Sequence, residues 1–195
     1  MSVAGTLAGP LAAALRRHFG FTSFRCGQEQ VAGALSRGRD VLAVMPTGAG
    51  KSLCYQLPAL VRDGLAVVVS PLIALMQDQV QRLQANGIAA DTVNSNRPRE
   101  ENVAAWRAAA RGELDLLYMS PERLTDTRML EALARLKLAL LVVDEAHCVS
   151  QWGHDFRPEY LALACLKERF HDVPIGAFTA TADGATRAEI ARVLL

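Results

Sequence analysis

The chain is poor in the features that mark secreted, membrane-spanning or metal-clasping proteins. Its four cysteines, Cys26, Cys54, Cys148 and Cys165, stand far apart with no Cys-x-x-Cys pair. That spacing argues against a zinc knuckle and a disulfide framework, and it fits a reducing compartment. No segment approaches the roughly 18 uninterrupted apolar residues of a transmembrane helix. Nor is one sign of charge in excess: 21 Lys+Arg against 20 Asp+Glu leave a net charge of +1. Any contact with a polyanion must therefore come from a local groove, because the global field is too weak to steer one. Residues 1–15 are rich in Ala and Leu, but Arg16 and Arg17 follow this stretch, whereas a secretory signal carries its positive charge first. The stretch reads as an ordinary amphipathic helix. Internal repeats and low-complexity linkers are also missing. What remains, in 195 residues of which 51% are hydrophobic, is enough for one well-cored globular domain.

Short β-branched or aliphatic runs alternate with longer helical patterns. This is the rhythm of an α/β domain, a mostly parallel sheet with helices on both faces. Strands are expected at residues 41–44, 65–70, 89–93, 115–119, 138–143 and 175–178. Val67-Val68-Val69 and Leu140-Leu141-Val142-Val143 are continuous rather than alternating apolar runs, as strands buried on both faces are. They are expected at the centre of the sheet. Pro71, Pro121 and Pro158 mark places where one element ends and another starts.

The first strand runs into Met45-Pro46-Thr47-Gly48-Ala49-Gly50-Lys51-Ser52 and then a helical pattern. Strand, glycine-rich loop and helix in that order describe a P-loop. Gly48 and Gly50 let the backbone bend so that successive N–H groups face a phosphate, and the helix N-terminus adds its positive end. Lys51 supplies a point charge for the β- and γ-phosphates, and the Ser52 hydroxyl is suited to Mg²⁺. The strict pattern has Gly where Met45 stands.

A second acidic feature, Asp144-Glu145-Ala146-His147, ends the most apolar strand. Ligands of open α/β sheets gather outside the carboxyl ends of the strands, where both this pair and the P-loop lie. Asp144 is suited to holding Mg²⁺ and Glu145 to orienting or deprotonating an attacking water. An acidic helix cap is the competing reading of such a pair, and the neighbouring P-loop weighs against it.

Together, the P-loop variant and Asp-Glu-Ala-His resemble the nucleotide motifs of superfamily-two helicases. Phe19-Gly20-Phe21 and Phe24-Arg25-Cys26-Gly27-Gln28 resemble the segment by which RecQ helicases grip adenine. The run from Cys148 to Tyr160 is similar to the aromatic-rich loop of that family. The resemblance implies that Phe21 stacks on the base, where many relatives carry Tyr, that Arg25 packs near it, and that Gln28 reads its edge. It implies that Trp152, His154, Phe156 and Arg157 meet unpaired bases, and that this loop couples single-stranded DNA to Asp144 and Glu145. Ser70-Pro71, with Gln77 on the following helix, resembles motif Ia at the DNA backbone; a core stripe at Leu72, Leu75 and Met76 is the alternative reading of that helix. Ser120-Pro121-Glu122-Arg123-Leu124 looks like a later DNA-facing loop. Thr179-Ala180-Thr181 resembles motif III, with His147 as its expected neighbour. Arg99, Arg107, Arg111 and Arg128 match no motif and read as solvated surface.

The resemblance implies the first RecA-like motor lobe of an ATP-dependent DNA helicase, residues 1–195, with an adenine-recognition segment at about residues 15–31. ATP and Mg²⁺ are its implied cofactors. Single-stranded and partly duplex DNA and a second RecA-like lobe are its implied partners, with no membrane. The implied activity is 3′ to 5′ translocation in DNA repair and recombination, in a bacterial nucleoid or a eukaryotic nucleus. No counterpart is found for the second lobe's motifs, including its arginine toward the γ-phosphate, or for zinc-binding or winged-helix segments, so the chain alone is expected to be nearly inactive. An RNA helicase, another nucleic-acid-dependent ATPase and a non-catalytic nucleotide-binding module are the alternatives.

Overall fold

A computed structural model describes residues 8–151 and 155–195. Six strands form one sheet: β1 (Val41–Val44), β2 (Leu65–Val69), β3 (Ala90–Val93), β4 (Leu116–Met119), β5 (Leu138–Val143) and β6 (Ile175–Thr179). The expected strands agree with these to within one residue at each end. All pairings are parallel, in the order β1-β6-β5-β2-β4-β3. The two continuous apolar runs, β2 and β5, lie at its centre.

Side chains alternate across a strand, so a strand buried on both faces feeds two cores. Val67, Val69, Leu141 and Val143 belong to one core, and Ala66, Val68, Leu140 and Val142 to the other. The second core is closed by α2 (Gln28–Ser36), α3 (Lys51–Val61) and α4 (Ile73–Ala85), following α1 (Ala8–Phe19) in the chain. The first is closed by α5 (Arg99–Ala110), α6 (Pro121–Leu124), α7 (Thr127–Leu133), α8 (Pro158–Leu161), α9 (Cys165–Arg169) and α10 (Gly184–Leu194). Early helices thus cover one face and later helices the other. Helix α1 docks through Leu11 and Leu15 onto Ala32 of α2 and Leu57 of α3. Pro121 and Pro158 each open a helix, where a missing N–H costs nothing. No described helix is long and apolar enough to cross a membrane.

Two details bear on the sites. Gly64 enters β2 at φ 122°, and a Cβ there would meet the Lys137 carbonyl at 2.6 Å. Only glycine lets β2 close against β5 there. The stripe expected on α4 is shifted: Met76, Val80 and Leu83 are buried, whereas Leu72 is 47% exposed. Leu72 precedes the helix in extended backbone, outside the 3.6-residue register that turns Met76 inward.

Candidate nucleotide and nucleic-acid site

The strand order decides what meets at the carboxyl edge. Strands β6 and β5 are inserted between β1 and β2, so the loop after β1 and the turn after β5 flank the end of β6. The P-loop, Asp144-Glu145 and Thr179 therefore share one rim.

In the P-loop, Gly48 and Gly50 adopt left-handed backbone, φ 82° and 81°. Gly50 caps α3, the helix that starts with Lys51 and Ser52. The Lys51 ammonium donates to the Met45 carbonyl at 3.2 Å, across the loop. Gln28 is 2% exposed. Its amide nitrogen donates to Ala49 O at 3.0 Å and to Gly50 O at 3.3 Å, and its oxygen accepts from the Arg25 N–H at 2.8 Å. A Cβ on Gly50 would lie 2.4 Å from that nitrogen, so the loop's fit to Gln28 also requires glycine there. The Arg25 guanidinium donates to Gly48 O at 2.9 Å. Residues expected to face a base thus also brace the loop backbone. Gln28 keeps one acceptor lone pair for another partner. Phe21 is 47% exposed and lines a concavity of about 380 Å³ with Ser52, Gln56 and Gln79. Thr47 is exposed and Ala49 half-buried along the same loop.

After β5 the backbone does something unusual. Glu145 has φ 50° and ψ 44°, the one non-glycine residue with positive φ among those described. Such a conformation costs on the order of 1–3 kcal/mol and persists only where surroundings enforce it. It turns the chain from β5 into a short 3₁₀ helix, Ala146–Val149, and the Asp144 carboxylate accepts the Glu145 N–H at 2.9 Å. The turn carries His147 back over the rim. Its Nδ1 lies 2.9 Å from the Thr179 hydroxyl and 3.4 Å from the Glu145 carboxylate. That hydroxyl donates to Thr181 O at 3.0 Å and accepts the Thr181 N–H at 3.3 Å. The other ring nitrogen, Nε2, lies 3.6 Å from the Asp155 carboxylate.

Burial and the neighbouring Glu145 carboxylate push the Asp144 carboxyl up from 3.8 to about 6, opposed by its Glu145 N–H bond and the Lys51 charge. A cation near Asp144 would hold it ionised. Ser52 and Asp144 offer one hydroxyl and one carboxylate. That set fits Mg²⁺, which ordinarily takes one or two carboxylates and completes its shell with phosphate and water. Among the described residues no group of three or more His, Cys, Asp or Glu side chains is placed to cage an ion.

The aromatic-rich segment returns to the same turn. Arg157 N–H donates to Cys148 O at 2.9 Å, and the Tyr160 hydroxyl, fully buried, donates to the backbone carbonyl of Asp144 at 2.9 Å. Ser150 donates to Glu189 of α10 at 2.8 Å. Phe156 and Arg157 are half-buried, and the guanidinium of Arg157 acts on the Cys148 thiol, which burial pushes up to about 11. Trp152 and His154 lie outside the described residues. Tyr160 carries no signal in sequence spacing, since its bond spans the whole loop.

Along the rim, Ser70 and Ser120 end the adjacent strands β2 and β4. Both are buried, and neither hydroxyl has a hydrogen-bond partner among the described residues. Pro71 is half-buried, and Gln77 is exposed on α4. A buried network lies beneath them: Gln56 of α3 donates to Gln79 of α4 at 3.0 Å and to the Tyr118 hydroxyl at 3.2 Å. It ties the P-loop helix to the helix after Ser70-Pro71.

A model of the DEAD/DEAH box helicase family matches residues 25–190. The chain is 53% identical over 180 residues to the ATP-dependent DNA helicase RecQ of Haemophilus influenzae, covering 92% of this chain and 29% of that protein. It thus spans less than a third of that relative's length. Among solved structures, it is similar to the DUF1998 helicase MrfA bound to DNA and AMPPNP, with TM-score 0.75 and 20% identity over 100% of this chain and 29% of that one. It is also similar to a hypothetical ATP-dependent RNA helicase from Sulfolobus tokodaii, with TM-score 0.72 and 20% identity over 96% of this chain and 55% of that one. At such identity these two speak for the fold. With a glycine-rich loop and an Asp-Glu-Ala-His turn meeting on one rim, and the family match spanning residues 25–190, the chain belongs to the DEAD/DEAH box helicase family.

Proposed function

We propose that the chain is the nucleotide-binding motor lobe of an ATP-dependent DNA helicase of the RecQ kind, working with a second RecA-like lobe. The observation that carries this reading is the double anchoring of one turn. His147 joins Asp144-Glu145 to Thr179, and Tyr160 straps the exit of the aromatic-rich loop to the Asp144 carbonyl. A change at the loop then reaches the carboxylates through one or two bonds. Lys51 and the loop N–H groups bind and orient the phosphates, Phe21, Arg25 and Gln28 face the base, and Glu145 aligns the attacking water and takes its proton. Thr47 and Ala49 shape the loop. Ser52 and Asp144 would hold Mg²⁺, which when bound neutralises phosphate charge. The turns that carry Ser70-Pro71, Ser120 and Thr181, with Gln77, are assigned to the DNA backbone, and Trp152, His154, Phe156 and Arg157 to unpaired bases. Translocation 3′ to 5′, work in repair and recombination, and a place at the nucleoid or in the nucleus complete the proposal.

The test compares ATP hydrolysis by the full-length protein with no nucleic acid, with single-stranded DNA and with RNA. Single-stranded DNA is expected to stimulate and RNA to do so far less. Equal stimulation by RNA overturns the DNA assignment. In the full-length enzyme, Phe156→Ala is expected to leave basal hydrolysis within about two-fold and to blunt the DNA response, since one lost base stack is worth about 1–3 kcal/mol. A normal response would reduce the loop to packing.

Thr179→Val keeps the shape and deletes the hydroxyl that bonds the His147 imidazole. Loss of one such hydrogen bond at the half-buried imidazole costs about 0.5–1.5 kcal/mol. DNA-stimulated kcat is therefore expected to fall by up to about ten-fold while the KM for ATP stays within about two-fold, since Thr179 contacts no P-loop side chain by hydrogen bond. An equal rise in KM with unchanged kcat would contradict the coupling role.

A further inference from the structure

Past Ser120 the rim continues into a concavity that neither the P-loop nor the Asp-Glu-Ala-His turn explains. It encloses about 390 Å³, inside the range of about 300–1,000 Å³ typical of pockets that take small organic groups. Its floor and walls are apolar: Val93 at the end of β3, Val103 and Trp106 of α5, and Met129 of α7. Arg99 and Arg123 stand at its mouth, both exposed and without an ion-pair partner among the described residues. Arg99, Val103 and Trp106 are four and three residues apart, so one face of α5 presents a cation above an aliphatic and an aromatic surface.

The pocket is held in place before any ligand arrives. Asn102 accepts the Asn94 N–H at 3.1 Å and donates to the carbonyls of Asn94 and Arg97 at 2.9 and 3.2 Å, which locks the loop from β3 into α5. Arg97 also lines the pocket, but its charge is spent on Asp91 and Glu101 at 2.6 and 2.7 Å, so it acts as a brace. Trp106 is only half-buried, and Val103 is 37% exposed. A large indole left partly open between two unpaired guanidinium groups is the arrangement expected of a surface that takes a flat apolar ring bearing an anion.

Continuity selects among such ligands. Ser120 N–H donates to Val93 O at 3.4 Å, and the Arg123 N–H donates to Ser120 O at 3.1 Å. One wall of the pocket is thus the same backbone that carries the buried, unpartnered Ser120 hydroxyl. On the proposed DNA-motor reading, a strand passing the turns after β2 and β4 is led along this backbone toward the pocket. We infer that the pocket of Trp106, Val103, Val93 and Met129 receives one unstacked base of single-stranded DNA, with Arg99 and Arg123 on the flanking phosphates. This rests on the proposed DNA-motor reading and extends its DNA track to the β3 edge of the sheet. Readout by stacking is sequence-tolerant, because every base has a π face, as a translocating motor requires.

The test is fluorescence anisotropy of labelled oligothymidylate with the chain and its variants, alongside tryptophan emission. The chain has two tryptophans, so the signal of Trp106 is the difference between the wild type and Trp106→Phe. DNA is expected to quench that difference signal at the concentrations at which anisotropy rises. Trp106→Phe should keep affinity within about two-fold. Trp106→Ala should lose about 5- to 100-fold, the equivalent of about 1–3 kcal/mol for one base stack. Arg99→Ala and Arg123→Ala should each lower the slope of log affinity against log salt by about one phosphate contact. Should Trp106→Ala fail to fold, Val103→Glu tests the same pocket from an exposed position and is expected to weaken binding. Wild-type affinity for DNA in Val103→Glu or in a folded Trp106→Ala overturns the pocket and leaves it to a protein partner. Absence of DNA binding by the full-length wild-type protein would instead overturn the DNA-motor reading itself.

Discussion

In the full-length protein, Lys51→Ala is expected to abolish nearly all ATP turnover while leaving the fold intact. The ammonium makes one hydrogen bond, to the Met45 carbonyl at the lip of the loop, and is half-buried, so its loss removes a charge and little packed surface. Electrostatic stabilisation of a transition state by one such group is commonly worth about 2.7–4 kcal/mol, or about 10²- to 10³-fold in rate. A second effect adds to the first. Lys51 is the cation that opposes the upward shift of the Asp144 carboxyl, so removing it also lowers the fraction of Asp144 that is ionised. Lys51→Arg should rescue little, because the guanidinium is a planar fork rather than a compact point charge. Circular dichroism and thermal melting report the fold, and steady-state hydrolysis of Mg-ATP reports the function. Turnover within a few-fold of wild type would sink the assignment of the P-loop.

Asp144→Asn is expected to stabilise the metal-free protein at alkaline pH and to destroy its activity. The folded-state carboxyl is raised to about 6 from 3.8, so the folded protein binds more protons than the unfolded chain between those values. The sign follows: the contribution of this group is fully present below about pH 4 and is lost as pH rises through about 6. Above that, a buried carboxylate beside Glu145 costs on the order of 1–3 kcal/mol. An amide of the same shape removes the charge. With chelator at pH 8, Tm should rise by several degrees, at about 2–4 °C per kcal/mol for a chain of this size. At pH 4 the two proteins should melt within about a degree of each other. Hydrolysis should fall by at least about 10²-fold, because the neutral amide is a poor ligand for a hard cation. A destabilised variant at pH 8 would show that Asp144 is held chiefly by favourable bonds. An active one would remove it from the site.

The features legible in sequence rest on local signals. Continuous β-branched runs place β2 and β5 at the centre of the sheet, because only strands covered on both faces need apolar residues at every position. Gly48 and Gly50 mark the P-loop because left-handed backbone is cheap only for glycine. Pro121 and Pro158 announce helix starts for an equally local reason. Helix α4 is the counterexample within a single element. The apolar residues around it include Leu72, which the structure leaves in solvent, because periodicity gives a face but not the residue at which the helix begins.

What the tertiary structure alone decided are the meetings between distant residues, and those follow from strand order. Insertion of β6 between β1 and β5 places Thr179 against His147, 32 residues away. The resemblance named that pair, but no spacing implies it. The left-handed turn at Glu145, the strap from Tyr160 to Asp144, and the inward engagement of Gln28 by the P-loop carbonyls have no sequence signature. The same holds for Arg123 of α6, which the fold brings to the pocket that Arg99 and Trp106 of α5 line. Composition and periodicity report how each segment meets water and its own backbone. Which segments face one another is settled by the pairing of strands, an energy summed over the whole sheet.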